Sequence, residues 1–296
     1  MTSNILVIHN PIAGRRRRRR LHQLLKILDG RGHHVRVKLT RWAGDAYEAA
    51  RDCKDVDFIV AAGGDGTVNE VVNGLCSRSV QERVPAVVFL PLGTANVLAW
   101  ELNLPRKPAA IASLIERGRT IDIRPGIANG RRFVLMASVG LDARAVAAVK
   151  TSVKRFIGGG AYVCAALKAL GELPPSFHIT ADGHAYQART VIVTRAGRYG
   201  GPFHLVPNAD ISDPVLYAVM MQGYGWWAAV RYGAALVAGR IHHLRDVHVI
   251  KVSKIDIKGP PFDPVQMDGD LMLSVPMSVA LDDRIVVFMT APQRDD

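Results

Sequence analysis

A chain of 296 residues has room for one large domain or two of ordinary size. Its apolar fraction of 49% is that of a soluble globular protein, and the nearest approach to the roughly 20 apolar residues of a membrane span, Trp226 to Ala238, is broken by Arg231. A formal charge of +12 calls for a polyanionic partner, which could be nucleic acid, an anionic membrane surface or a phosphorylated substrate.

In chain order, Asn4 to Ile8 reads as a strand that ends in the Asn10-Pro11-Ile12-Ala13-Gly14 turn. A helix follows to about Leu28, with Leu21, Leu24, Leu25 and Leu28 in helical register and the run Arg15 to Arg20 at its head. Arginines at a helix N-terminus oppose the helix dipole unless an anion is present, so Arg15 and Arg16 read as phosphate contacts, beside the alternative of a solvated face. Val35 to Leu39 alternates as a second strand, stops at Thr40, and leads into a helix through about Arg51.

The third unit is the stretch that organises the rest. Val56 to Ala62 has the length and composition of a buried strand, and GGDGTVNEVVNGL, Gly63 to Leu75, follows it directly. Val68, Val71, Val72 and Leu75 fall on one helix face. Strand, glycine loop and helix in succession aim backbone N–H groups and a positive helix end at whatever lies over the loop. A tight turn would also explain the glycines. Asp65 favours the anion site, because a carboxylate among phosphate-binding N–H groups makes sense with a cation between them.

A fourth unit runs from the strand Ala86 to Leu90, through Pro91-Leu92-Gly93-Thr94-Ala95-Asn96, to a short helix ending near Leu102. Alternating strands and helices predict a parallel, doubly wound sheet, whose ligands bind outside the carboxyl ends of the strands. The loops at Asn10, Thr40, Gly63 and Gly93 all follow strands and so converge on one rim, suited to a nucleotide. Neither a Walker A motif nor a dinucleotide fingerprint is present.

From about Ile121 short strands dominate: Phe133 to Val139, Phe177 to Thr180, Val191 to Thr194, Leu216 to Met220, Val247 to Val252, Lys254 to Lys258 and Ile285 to Met289. Asp182-Gly183 and Asp268-Gly269 supply hairpin turns. Helical patterns cover about Ala143 to Leu170 and Tyr224 to Ala238. The expected division is an α/β nucleotide-binding domain over 1–120, rejoined by 284–296, and a β-sandwich domain over 121–283. Cys53, Cys76 and Cys164 are odd in number and scattered, which argues against a disulfide framework or a zinc site. No basic region precedes the first apolar run, so no secretory signal is expected and the compartment reads as cytoplasmic.

The GGDGTVNEVVNGL stretch, the Pro91 to Asn96 loop and a late Asp268-Gly269-Asp270 occur in one chain. With Asn10-Pro11, Ser138 to Ala143, Lys154-Arg155, Gly158 and Tyr162, they make the sequence resemble the diacylglycerol kinase catalytic-domain family. It is most similar to the bacterial soluble lipid kinases that share a fold with NAD kinases. The resemblance implies a Rossmann-like α/β domain, a C-terminal β-sandwich, and ATP-dependent, Mg²⁺-requiring phosphorylation of a lipid hydroxyl on diacylglycerol or a related lipid. It places ATP contacts on Asn10, Pro11, Gly14, Arg15, Thr40, Gly63, Gly64, Asp65, Gly66, Thr67, Asn69, Glu70, Gly93, Thr94 and Asn96. It places a structural Mg²⁺ on Asp210, Asp213 and the carbonyl of Val215, where a polar loop is the alternative.

The family's general base is a glutamate after Asp-Gly, and Asp270 stands there in this chain. Asp270 as base, Asp268 as its support and Asp65 at the metal–phosphate cluster are therefore the expected catalytic residues. Val97 and Pro214 stand where relatives commonly carry Asp and Gly. The basic surface is expected to rest on anionic lipid at the inner membrane surface, with Trp226 and Trp227 either at that interface or, for at least one, in the core. A homodimer is compatible with the sequence, and nucleic acid is not the expected partner. The alternatives are an NAD kinase or other small-molecule kinase on the same scaffold, and a non-catalytic ATP or lipid binder.

Overall fold

The computed structural model of the chain describes residues 2–13, 18–144 and 175–291. The chain divides into two compact units, Met1–Pro125 with Asp283–Asp296, and Gly126–Asp282.

In the first unit the elements are β1 (Asn4–His9), α1 (Arg18–Gly30), β2 (His34–Leu39), α2 (Asp45–Arg51), β3 (Phe58–Gly63) and α3 (Asp65–Cys76). They continue as β4 (Ala86–Pro91), α4 (Val97–Glu101), α5 (Pro108–Arg117) and β5 (Arg119–Ile123). The second unit holds β6 (Gly126–Ala128), β7 (Arg131–Phe133), β8 (Met136–Val139), β9 (Phe177–Ala181), β10 (His184–Ala188), β11 (Thr190–Thr194), β12 (Arg198–Tyr199) and β13 (Phe203–His204). After these come β14 (Leu216–Met221), α6 (Gly225–Val237), β15 (Val247–Val252), β16 (Lys254–Lys258), β17 (Pro264–Met267), β18 (Asp270–Ser274) and β19 (Met277–Leu281). The last strand, β20 (Val286–Thr290), returns to the first unit.

The first sheet has the order β2-β1-β3-β4-β20-β5. Strands β2, β1, β3, β4 and β20 are parallel neighbour to neighbour, and only β5 runs antiparallel, against β20. Ile59 to Ala62 and Val87 to Leu90 are buried without alternation, as in a sheet covered on both faces. The covering helices pack as pairs, α2 beside α3 and α1 beside α5. Leu21, Leu24 and Leu28 of α1 and Val68, Val71, Val72 and Leu75 of α3 supply the buried stripes. Helix α5, with Pro108 in its first turn and Ile111, Leu114 and Ile115 buried, is an element the sequence reading left unassigned.

Among the described residues of the second unit every strand pairing is antiparallel: one six-stranded sheet in the order β10-β9-β16-β19-β6-β7, another in the order β15-β14-β11-β8-β17-β18, and the short pair β12-β13. Phe133, Phe177, Ile179, Ile255, Ile257 and Val279 of the one meet Val139, Val191, Val193, Leu216, Val265 and Met267 of the other in a single apolar core. This is a β-sandwich. Asp182-Gly183 and Asp268-Gly269 each have positive φ at both residues, as a two-residue hairpin loop requires.

One expectation changes. Phe133 to Val139 is not one strand, because the chain leaves β7 in one sheet and enters β8 in the other, breaking at Val134-Leu135. Ile285 to Met289 lies in the segment that returns to the first unit, where β20 pairs with β4 and β5. The helical stretch expected from Ala143 to Leu170 lies almost wholly outside the described residues, as do Lys154, Arg155, Gly158, Tyr162 and Cys164.

Candidate active site

From β1 the chain steps outward to β2 and then returns to β3 on the opposite side, so the switch point of the first sheet lies between β1 and β3. Asn10 leaves β1 there. Its N–H donates to the Ala62 carbonyl of β3 (3.1 Å), and its Oδ1 accepts the N–H groups of Ile12 (3.0 Å) and Ala13 (3.4 Å). The amide Nδ2 faces Thr67 Oγ1 at 3.5 Å. Thr40 enters the same rim by donating its N–H to the His9 carbonyl (2.9 Å).

Gly63 and Gly64 carry β3 into α3. The Gly63 carbonyl accepts the N–H groups of Leu92 (2.7 Å) and Gly93 (3.0 Å), binding this loop to the one after β4. A Cβ on Gly93 would lie 2.7 Å from Gly64 Cα, and one on Gly63 would lie 2.2 Å from Thr67 Oγ1. Glycine is required here because two main chains touch, which goes beyond the freedom of a turn.

Asp65, expected at a metal–phosphate cluster, binds the loops of the rim to one another. Its Oδ2 accepts the Val97 N–H (3.0 Å) and its Oδ1 the Leu98 N–H (3.1 Å), so the carboxylate caps α4 from a distance. Asn96, with φ 46°, enters α4 in the left-handed region and donates from Nδ2 to the Gly93 carbonyl (2.8 Å). Its Oδ1 is buried and has no hydrogen-bond partner among the described residues, which leaves an acceptor beside the glycine loops.

Deeper in α3, Asn69 Oδ1 accepts from Asn73 Nδ2 (3.1 Å), and Glu70 Oε2 accepts the Ala46 N–H (3.1 Å) at the head of α2. Glu70 ties α2 to α3 behind the rim, while the Asn69–Asn73 pair lies within α3. Beside it a pocket of about 590 Å³ is lined by Arg20, Pro91, Thr94, Asn96, Trp100 and Arg106, with the Arg106 guanidinium 4.7 Å from the Trp100 ring. Pro11, Gly66 and Thr67 lie at the same strand ends, whereas Gly14 and Arg15 lie outside the described residues.

In the second unit Asp268 is a clamp. Its buried carboxylate accepts the N–H groups of Val134 (2.7 Å), Leu135 (2.9 Å) and Met136 (2.9 Å), and its own N–H donates to the Met136 carbonyl (3.0 Å). It thereby holds the corner at which the chain changes sheets. Asp270 opens β18 opposite Met267, half-buried.

Behind this turn is a polar cluster that carried no assigned role in the sequence reading. Gln266 receives the Gly269 N–H on Oε1 (2.8 Å) and donates from Nε2 to Asp142 (2.9 Å), while Ser138 and Tyr199 both donate to the Asp142 carboxylate. Burial, and then the adjacent Asp142 charge, push the Tyr199 phenol well above its ordinary value, so it remains a donor. Ser138 and Gln266 face each other across β8 and β17. Ser138 to Ala143 carried part of the family resemblance, but no spacing in the sequence joined it to Gln266 or Tyr199.

The expected Mg²⁺ ligands do not fit a metal. The Val215 carbonyl already accepts a hydrogen bond from the guanidinium of buried Arg195, and Asp210 Oδ1 accepts the N–H (2.8 Å) and hydroxyl (2.7 Å) of Ser212. A divalent ion on that carbonyl would sit against a fixed positive charge. Among the described residues no group of three His, Cys, Asp or Glu side chains could hold a metal.

Residues 4–127 match the diacylglycerol kinase catalytic domain, and residues 136–289 match the YegS C-terminal NAD kinase beta sandwich-like domain. A diacylglycerol kinase of Bacillus subtilis is 30% identical over 89% of this chain and 88% of that protein. A probable YegS-like lipid kinase of Shewanella frigidimarina is 28% identical over 84% of this chain and 82% of that one. The crystal structure of a diacylglycerol kinase from Bacillus anthracis superposes with a TM-score of 0.77 at 26% identity, covering 98% of both chains. A glycine rim at the switch point, a β-sandwich with its Asp-Gly-Asp hairpin, and these likenesses together place the chain in the diacylglycerol kinase family of YegS-type lipid kinases.

Proposed function

We propose that this chain transfers the γ-phosphate of ATP, taken as its magnesium complex, to a hydroxyl of diacylglycerol or a related lipid. The observation that carries this reading is the main-chain contact of Gly64 with Gly93, which joins the loops after β3 and β4, beside the switch point where the Asn10 N–H bonds the Ala62 carbonyl and brings in the loop after β1. Backbone donors and a helix N-terminus suit a polyphosphate, and phosphoryl transfer depends chiefly on positioning and charge neutralisation. Asn10, Pro11, Thr40, Gly63, Gly64, Gly66, Thr67, Gly93, Thr94 and Asn96 would hold the nucleotide, with Gly14 and Arg15 completing the loop after β1. Asp65, Asn69 and Glu70 would position these contacts.

Asp270 is the general base in this reading. It accepts the proton of the lipid hydroxyl as that oxygen bonds to the γ-phosphorus, the bond to the β-phosphate oxygen breaks, and ADP leaves. Asp268 and the Gln266–Asp142–Tyr199 cluster fix the hairpin that carries it.

Lipid arrives from a membrane surface, and α6 offers a means of meeting it. No helix among the described residues is long and apolar enough to cross a membrane. Helix α6 buries Ala228 and Tyr232 but exposes Trp226, Trp227, Val230 and Val237; neither tryptophan is a core residue, and Trp227 is 86% exposed. An exposed aromatic stripe on a protein of charge +12 suits peripheral contact with anionic lipid. Transfer of label from γ-labelled ATP to lipid in mixed vesicles tests the reading, and an Asp270→Asn variant as active as the parent would remove Asp270 from its role.

A further inference from the structure

Arg195 follows β11 and is fully buried, an unusual place for a guanidinium. Its Nη1 donates to the carbonyls of Asp213 and Val215, and its Nη2 to the carbonyl of Ile211 (2.6 Å). Three carbonyl oxygens from alternate residues of one loop thus converge on one cation. Its main-chain N–H donates to the Leu135 carbonyl (2.8 Å), which anchors the residue at the sheet-crossing corner.

Convergent carbonyls are the donor set of a hard divalent cation. Here the set is spent on a planar guanidinium that arrives with the chain. We propose that Arg195 is a built-in cation in place of a divalent ion, so that the loop 207–215 and the second unit hold their structure without Mg²⁺. Any magnesium that catalysis needs then enters with the nucleotide. The inference stands on the loop geometry alone and is independent of the kinase reading.

The test reads stability and metal binding, not activity. Thermal melts of the full chain, free of nucleotide, are compared in EDTA and in millimolar MgCl₂, alongside Mn²⁺ titration followed by electron paramagnetic resonance. The expected results are coincident melts and no stoichiometric Mn²⁺ site. Arg195→Asn, which releases the three carbonyls, should melt lower than the parent in EDTA by about 5 °C or more and regain part of that in MgCl₂. A parent whose melting temperature falls on chelation, or that binds one Mn²⁺ without nucleotide, overturns the proposal. So does an Arg195→Asn chain as stable in EDTA as the parent. If that variant does not fold, the two measurements on the parent still decide.

Discussion

Asp268 and Arg195 meet through one residue: Leu135 gives its N–H to Asp268 Oδ1 at 2.9 Å and takes the Arg195 N–H on its carbonyl at 2.8 Å. The corner between the two sheets is therefore gripped from both sides by residues distant in sequence. Replacing Asp268 by Ala leaves three buried N–H groups without their carboxylate, each costing about 1–3 kcal/mol. Asp268→Ala should lose about 3 kcal/mol or more of unfolding free energy, measured in urea, and Asp268→Asn about half as much. A variant as stable as the parent would show that the clamp is dispensable.

Asp65 joins the glycine loop to α4 through two N–H groups. Its removal should cost about 1–2 kcal/mol of stability, as for a lost cap. The larger effect is on function: with the two loops no longer registered, kcat/KM for ATP should fall by about 100-fold. Steady-state kinetics of Asp65→Ala, checked by circular dichroism for an intact fold, supply the measurement.

Asp45 is buried at the head of α2, with Lys38 Nζ at 2.9 Å and the Arg41 N–H at 2.9 Å. The Lys38 partner, opposed by burial and helped by the Arg41 N–H, holds its carboxyl below the ordinary carboxylate range. Because the folded value is the lower one, the contribution is complete above the unfolded value of about 4 and is lost as pH falls through the folded value. Asp45→Asn should thus be less stable than the parent at pH 7, with a gap that narrows below about pH 4. Urea unfolding at pH 7 and pH 3 checks the sign.

Trp227 is too exposed to support the fold, so Trp227→Ala should melt with the parent. If α6 meets lipid, burying an aromatic ring there is worth about 1.5–3 kcal/mol, and binding to anionic vesicles should weaken at least tenfold. Sedimentation with vesicles separates the two effects.

The first unit was legible because each of its signals is local. The apolar run before Gly63 and the Val68, Val71, Val72, Leu75 stripe declare a strand and a helix within twenty residues, and chain order then fixes the rim. The second unit was less legible because its determinants are remote. Phe133 to Val139 is apolar except at Ser138 because both of its halves are buried, and its break is held by a carboxylate more than 130 residues away in Asp268. Arg195 sits among valines and threonines, so its position gives no hint of a loop that it grips through three carbonyls. Asp65 illustrates a subtler limit: the motif placed it beside the glycine loop, but its partners, Val97 and Leu98, come from the head of α4 after the next loop.

Phosphorylation of a total lipid extract with γ-labelled ATP and Mg²⁺, parent beside Asp270→Asn, with products resolved by mass spectrometry, bears on the central proposal most directly. The parent should label a hydroxyl-bearing lipid of the diacylglycerol class, and the variant should lose at least 100-fold of that rate, the lower range for removal of a general base. No labelled lipid from any fraction, or equal rates from the two proteins, would contradict it.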